Sequence, residues 1–140
     1  LTWPWGKQIA ELVLGKERHF EARHPLQKIY WSTGYPTVSL LPMMGLVNLV
    51  NESELETIDI PVLTIYSPND GVVSPAKTEA ALARFGSKIN EVMQVTNSSD
   101  KNEHVIAGDI LSPITNKAIS QRIKTFLAHL EKKNLQAHTQ

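Results

Sequence analysis

D-I-P-V-L-T-I-Y-S-P-N-D-G-V-V-S-P, residues 59 to 75, is the stretch whose reading decides the fold. Ile60 to Tyr66 is an apolar run of β-branched and aromatic residues, with Pro61 near its entry, where a strand tolerates it. The run stops at Ser67-Pro68-Asn69-Asp70-Gly71, five turn formers in succession. After Val72 and Val73, Ser74 and Pro75 supply an N-cap and a first helical residue. The pattern predicts a buried strand running out to a sharp turn that displays Asp70, with a helix returning from it. In an open α/β sheet, that is the edge where sites are built.

Downstream, Pro75 to Phe85 is predicted as a short helix with Leu82 and Phe85 on one side and Gly86 as its stop. Ile89 to Thr96 reads as a second strand through Val92, Met93 and Val95. Strand, helix and strand make a βαβ unit, so the fold class is α/β, with two parallel strands and a right-handed crossover. The polar loop Asn97 to Glu103 then delivers His104 to the same edge as Asp70. The closing helix carries Ile119, Ile123, Phe126, Leu127 and Leu130 as one apolar stripe. Lys132 and Lys133 stand at its C-terminal end, where the helix dipole favours cations, and Asn134 to Gln140 is a polar tail.

Upstream of the strand, Pro4 to Leu14 has Ile9, Ala10, Leu12, Val13 and Leu14 at near-helical spacing, closed by Gly15 as a C-cap. Trp3 and Trp5 are costly to leave in water and are expected to pack, most simply between helix and core. Lys16 to Lys28 is polar, mixed in sign, and reads as solvated surface; His19 and His24 have no further ligand at zinc spacing, so no metal site is expected. Tyr30-Trp31 and Gly34-Tyr35-Pro36 form an aromatic turn region. Val38 to Val50 is apolar almost all round, and Pro42 is expected to start or kink a helix there. Such a segment is either buried core or an apolar lid over a greasy pocket. In the second case its methionines fit an adaptable surface, and Met43, Met44 and Leu46 are the candidate substrate contacts. Asn51 to Thr57 is an acidic connection into the strand.

Composition narrows the class. Fourteen Lys and Arg balance fourteen Asp and Glu, so the charge carries no nucleic-acid footprint. Without cysteine, disulfides, thiolate metal sites and cysteine nucleophiles are excluded. No apolar run approaches the ~20 residues of a membrane-spanning helix. The longest, Val38 to Val50, is interrupted by Ser39, Pro42, Gly45 and Asn48. The N-terminus shows no basic region followed by a hydrophobic stretch, so a soluble stretch without a signal peptide is expected. It begins at Leu1 rather than methionine, with Trp3-Pro4-Trp5-Gly6 close behind, and is expected to be a fragment. At 140 residues it makes one domain or most of one.

Asp70 at the C-terminal end of one strand and His104 in the loop after the next are expected to lie side by side, because parallel strands one βαβ apart end within side-chain reach. An aspartate there accepts the Nδ1 proton of the imidazole, fixes its tautomer and leaves Nε2 as general base. Pro68-Asn69-Asp70-Gly71 is also good turn chemistry by itself, and a lone histidine after a strand is usually a surface residue. Their order and placement together point to a catalytic pair. Asp100 and Asp109, close to His104 in sequence, are the fallback acids.

This arrangement resembles the C-terminal third of an α/β-hydrolase, and more narrowly the monoacylglycerol-lipase-like and serine-aminopeptidase-like esterases. Ile60 to Asp70 is similar to that family's strand and acid turn, and Val72-Val73-Ser74-Pro75 to the segment after it. His104, 34 residues after Asp70, stands where the family places its catalytic histidine. The resemblance covers Ile60 to Leu130 firmly and the preceding stretch loosely. It implies a partial α/β-hydrolase fold: a helical cap segment over residues 1–57, a core segment over 58–133 with two parallel strands and flanking helices, and a tail over 134–140. It further implies carboxylic-ester or lipid-like acyl-ester hydrolysis through an acyl-enzyme, with no cofactor and no metal. The nucleophile half is absent. No G-x-S-x-G occurs in the 140 residues, Gly86-Ser87 follows a helix rather than a strand, and the oxyanion-hole segment is missing. The chain alone is therefore expected to be inactive. A different class fits the same residues: a non-catalytic α/β binding or assembly module. Since a parallel pair normally belongs to a larger sheet, the open edge of strand 60–66 is expected to form a homodimer.

Overall fold

A computed structural model of the chain describes residues 5–137, with five helices and two small sheets, one of them a parallel pair. These residues fall into two units that divide between Ser53 and Glu54. In the first, α1 (Gly6–Leu14) ends at Gly15, whose φ of 77° is a conformation glycine adopts without penalty. β1 (Glu17–His19) and β2 (Gly34–Pro36) pair antiparallel, with Glu17 opposite Pro36, and α2 (Pro25–Tyr30) lies between them in the chain. The polar stretch 16–28 is exposed as expected, apart from the half-buried Ala22 and His24 and the buried Gln27, and it also takes regular structure. It provides β1 and the start of α2, where His24 Nδ1 accepts the Leu26 amide at 3.1 Å, and where the buried Gln27 accepts the Arg23 amide at 2.7 Å. The aromatic turn region is the end of α2 and strand β2.

The buried Thr37 donates its hydroxyl to Gly15 O at 2.6 Å and its amide to Lys16 O at 2.9 Å, which fixes the entry to α3 (Leu40–Glu52). Pro42 lies in the first turn of α3, where no amide donor is needed, so it starts the helix rather than kinking it. No residue of α3 is buried, which overturns the buried-core reading of Val38 to Val50. A helix apolar nearly all round needs partners on every side. Its own unit offers a two-stranded ribbon and two short helices. Trp5 is likewise 68% exposed rather than packed; Trp3 and Pro4 lie outside the described residues.

In the second unit a 3₁₀ turn (Leu55–Thr57) leads into β3 (Val62–Tyr66), which pairs in parallel with β4 (Asn90–Gln94) across the connecting helix α4 (Pro75–Leu82). The register runs from Val62 opposite Asn90 to Tyr66 opposite Gln94. β3 starts two residues later than its apolar run because Pro61 has no amide to donate, and Ile60 is exposed. All five β3 residues are half-buried, since a two-stranded sheet cannot enclose a strand. Ser74 and Pro75 take the N-cap and first helical positions of α4, although the serine side chain makes no capping bond. The helix stops at Leu82 instead of Phe85. Beyond it Arg84 Nε reaches Glu56 Oε1 at 2.9 Å, and Gly86 passes so close to Glu56 that a Cβ there would stand 2.0 Å from its carbonyl oxygen.

α5 (Asn116–Ala137) packs on β3, and its Glu91 partners on the β4 side, Arg122 and His129, tie it to the sheet. Ile119 and Phe126 are buried together with Leu55, Leu82 and Val95, while Ile123 and Leu127 of the same stripe stay exposed. The stripe is wider than the sheet beneath it. Residues 134–137 of the expected tail belong to α5; 138–140 lie outside the described residues. Among the described residues no helix is long and apolar enough to cross a membrane.

Candidate active site

The end of β3 and the loop after β4 bring Asp70 and His104 together. Asp70 donates its amide to Ser67 O at 3.3 Å, closing the turn. Its Oδ1 accepts the amides of Val72 at 2.7 Å and Val73 at 3.0 Å, the local pairing that short acidic side chains favour in turns. Oδ2 is left to His104, whose Nδ1 lies 2.9 Å away. The Asp70 side chain is 9% exposed and that of His104 41%. Burial alone would raise the Asp70 carboxyl, but the hydrogen bond from His104 and the amides of Val73 and Val72 more than offset it, holding its pKa below the ordinary carboxylate value. Asp70 is therefore ionised at neutral pH and can only accept. The proton of a neutral His104 then sits on Nδ1, and Nε2 carries the free lone pair.

The histidine loop is built from buried polar groups. Asp100, 5% exposed, accepts the amides of His104 at 3.0 Å and Val105 at 3.1 Å on Oδ2. Its own amide reaches the buried Ser112 Oγ at 3.3 Å, and that hydroxyl donates to Val105 O. Buried Thr115 stands 2.6 Å from Ile106 O, and Asn116 Nδ2 donates to Asp109 Oδ1 at 2.6 Å. Asp100 and Asp109, the fallback acids, are thus engaged on the loop itself, and Asp70 takes the ring nitrogen. The residue before His104, Glu103, has φ 48°, and its Oε2 accepts Ser67 Oγ at 2.6 Å and Asn69 Nδ2 at 3.3 Å. Gly71 donates its amide to Asn102 O at 2.8 Å. Asp100, Glu103 and Ser67 were not selected by sequence reading as positioning groups. The available signal was an aspartate four residues before the histidine, within reach of its amide.

The other candidates lie in the first unit. Met43 and Leu46 line an open apolar groove of about 320 Å³ with Val47, Val50 and Asn51, and Met44 is half-buried. Among the described residues no group of three His, Cys, Asp or Glu side chains is placed to hold a metal ion. Comparisons with protein-family models, curated proteins and solved structures found no match for this chain.

Proposed function

We propose that the chain supplies the acid and base of a serine hydrolase acting on carboxylic or lipid-like acyl esters, with the nucleophile and oxyanion donors lying on residues outside it. The observation that carries this reading is the 2.9 Å contact between His104 Nδ1 and an Asp70 carboxylate whose other oxygen is already occupied by two amides. In that role His104 Nε2 takes the serine proton as the hydroxyl attacks the acyl carbon, and Asp70 stabilises the imidazolium. The same proton then goes to the departing alkoxide, and the cycle repeats with water to release the acid. No cofactor or metal takes part. The chain alone is expected to hydrolyse no p-nitrophenyl ester and to take no label from a serine-directed phosphonate. Adding a segment that carries a strand followed by G-x-S-x-G should restore labelling on that serine. Stoichiometric labelling of a serine in the folded 140-residue chain itself would sink the proposal.

The missing G-x-S-x-G also favours a second reading, a non-catalytic assembly module. Among the described residues β3 pairs only with β4, so its far edge is open, and Val62, Leu63 and Ile65 put no charge along it. We propose a twofold dimer through this edge. Light scattering at micromolar concentration is expected to give twice the chain mass, and Val62→Lys to give a monomer. A wild-type monomer would remove this reading.

A further inference from the structure

We propose that Glu103 is a positioning residue: its carboxylate clamps the histidine loop to the acid turn and so sets the Asp70–His104 hydrogen bond. This rests on the acid–base pair described above and assigns what holds it. Glu103 stands at φ 48°, a left-handed conformation that glutamate adopts rarely and that glycine adopts freely. Such conformations persist where the surroundings over-determine them. Here the surroundings are explicit. The backbone turn at Glu103 sends its side chain to the end of β3, where Oε2 accepts the hydroxyl of Ser67 and the amide group of Asn69. Ser67 is 1% exposed, and its Oγ also accepts the Asn69 amide at 3.1 Å, so one oxygen organises the turn and reports to the clamp.

The next residue along each segment completes the arrangement. Asp70 follows Asn69, and His104 follows Glu103, so the clamp and the acid–histidine bond are adjacent ties between the same two loops. The third tie is the backbone bond from Gly71 to Asn102. Asp100 fixes the His104 and Val105 amides within the histidine loop itself. The bond from the buried Ser67 hydroxyl to the Glu103 carboxylate, at 2.6 Å, is a side-chain link by which the turn's position is transmitted to the residue that carries the ring.

The test uses the full chain and reads the His104 tautomer from ring nitrogen chemical shifts at neutral pH. Wild type is expected in the Nδ1–H form. Glu103→Gly relieves the left-handed backbone and removes the clamp; the Nδ1–H to Nε2–H ratio is expected to fall about tenfold, the scale of losing one hydrogen bond to a charged group. Glu103→Gln, whose Oε1 can accept both donors, is expected to stay within about twofold of wild type. Ser67→Ala, at the other end of the clamp, is expected to move the ratio in the same direction, and to add little to Glu103→Gly. An unchanged ratio in folded Glu103→Gly or Ser67→Ala overturns the role, leaving Glu103 as a residue merely tolerated at its position. A wild-type ring in the Nε2–H form sinks the Asp70–His104 pair itself, and this role with it.

Discussion

Asp70→Asn, in a protein that joins this chain to its nucleophile segment, is expected to lower kcat about 10⁴-fold without unfolding the chain. The direction follows from the two amides on Oδ1. Val72 and Val73 both donate to that position, so an asparagine must place its carbonyl oxygen there and its NH₂ where Oδ2 now meets His104. Nδ1 of the ring then has to accept, its proton moves to Nε2, and the base has no lone pair to offer the serine. The turn survives because its amides still have an acceptor. His104→Ala removes the base outright and is expected to abolish acyl transfer. The measurement is single-turnover acylation, with far-UV circular dichroism to check the fold. Near-normal turnover in Asp70→Asn would reduce Asp70 to a turn residue.

Gly86→Ala is expected to destabilise the second unit by about 1–3 kcal/mol or more, the range for forcing a methyl group into filled space. An ideal Cβ at Gly86 would lie 2.0 Å from Glu56 O, 3.0 Å from Glu56 C and 3.6 Å from Ile58 O, and all three are backbone atoms. No side chain can rotate away. The segment has little room to retreat, since buried Leu55 anchors it on one side and the Arg84–Glu56 pair holds it on the other. Moving it would also shift the entry to β3 and with it the turn at Asp70. The check is urea unfolding of the full chain, where a change below about 0.5 kcal/mol would mean that the Glu56 segment yields freely.

The strand, turn and helix around Asp70 were legible because their signals are local: β-branched residues, five turn formers and a proline at the first helical position. The meeting of Asp70 with His104 was legible because parallel strands one crossover apart end at the same edge. The scaffold beneath His104 was not. Asp100, Glu103, Ser112 and Thr115 belong to residue types that composition assigns to solvent, and three of the four are buried only because the loop folds back on itself. Nothing local distinguishes an aspartate that receives a distant amide from one that faces water. The same limit hid β1, whose three residues, Glu17, Arg18 and His19, are all exposed and carry no apolar alternation. In α3 the failure ran the other way: Leu46, Leu49 and Val50 have the composition of a core without the neighbours that would make one.

Among the residues whose burial is described, the buried apolar side chains, Leu55, Leu82, Val95, Ile119 and Phe126, lie after Ser53, whereas the buried residues before it are Gln27 and Thr37. Heat capacity should register that asymmetry. Hydration of newly exposed apolar surface raises the heat capacity of unfolding by ~12–15 cal/mol/K per residue in an ordinary globular chain, which is about 2 kcal/mol/K for this length. Here the calorimetric step is expected to be roughly half of that. The first unit should melt as a broad, nearly athermal slope, so that the sharp endotherm belongs to the residues around Asp70 and His104 alone.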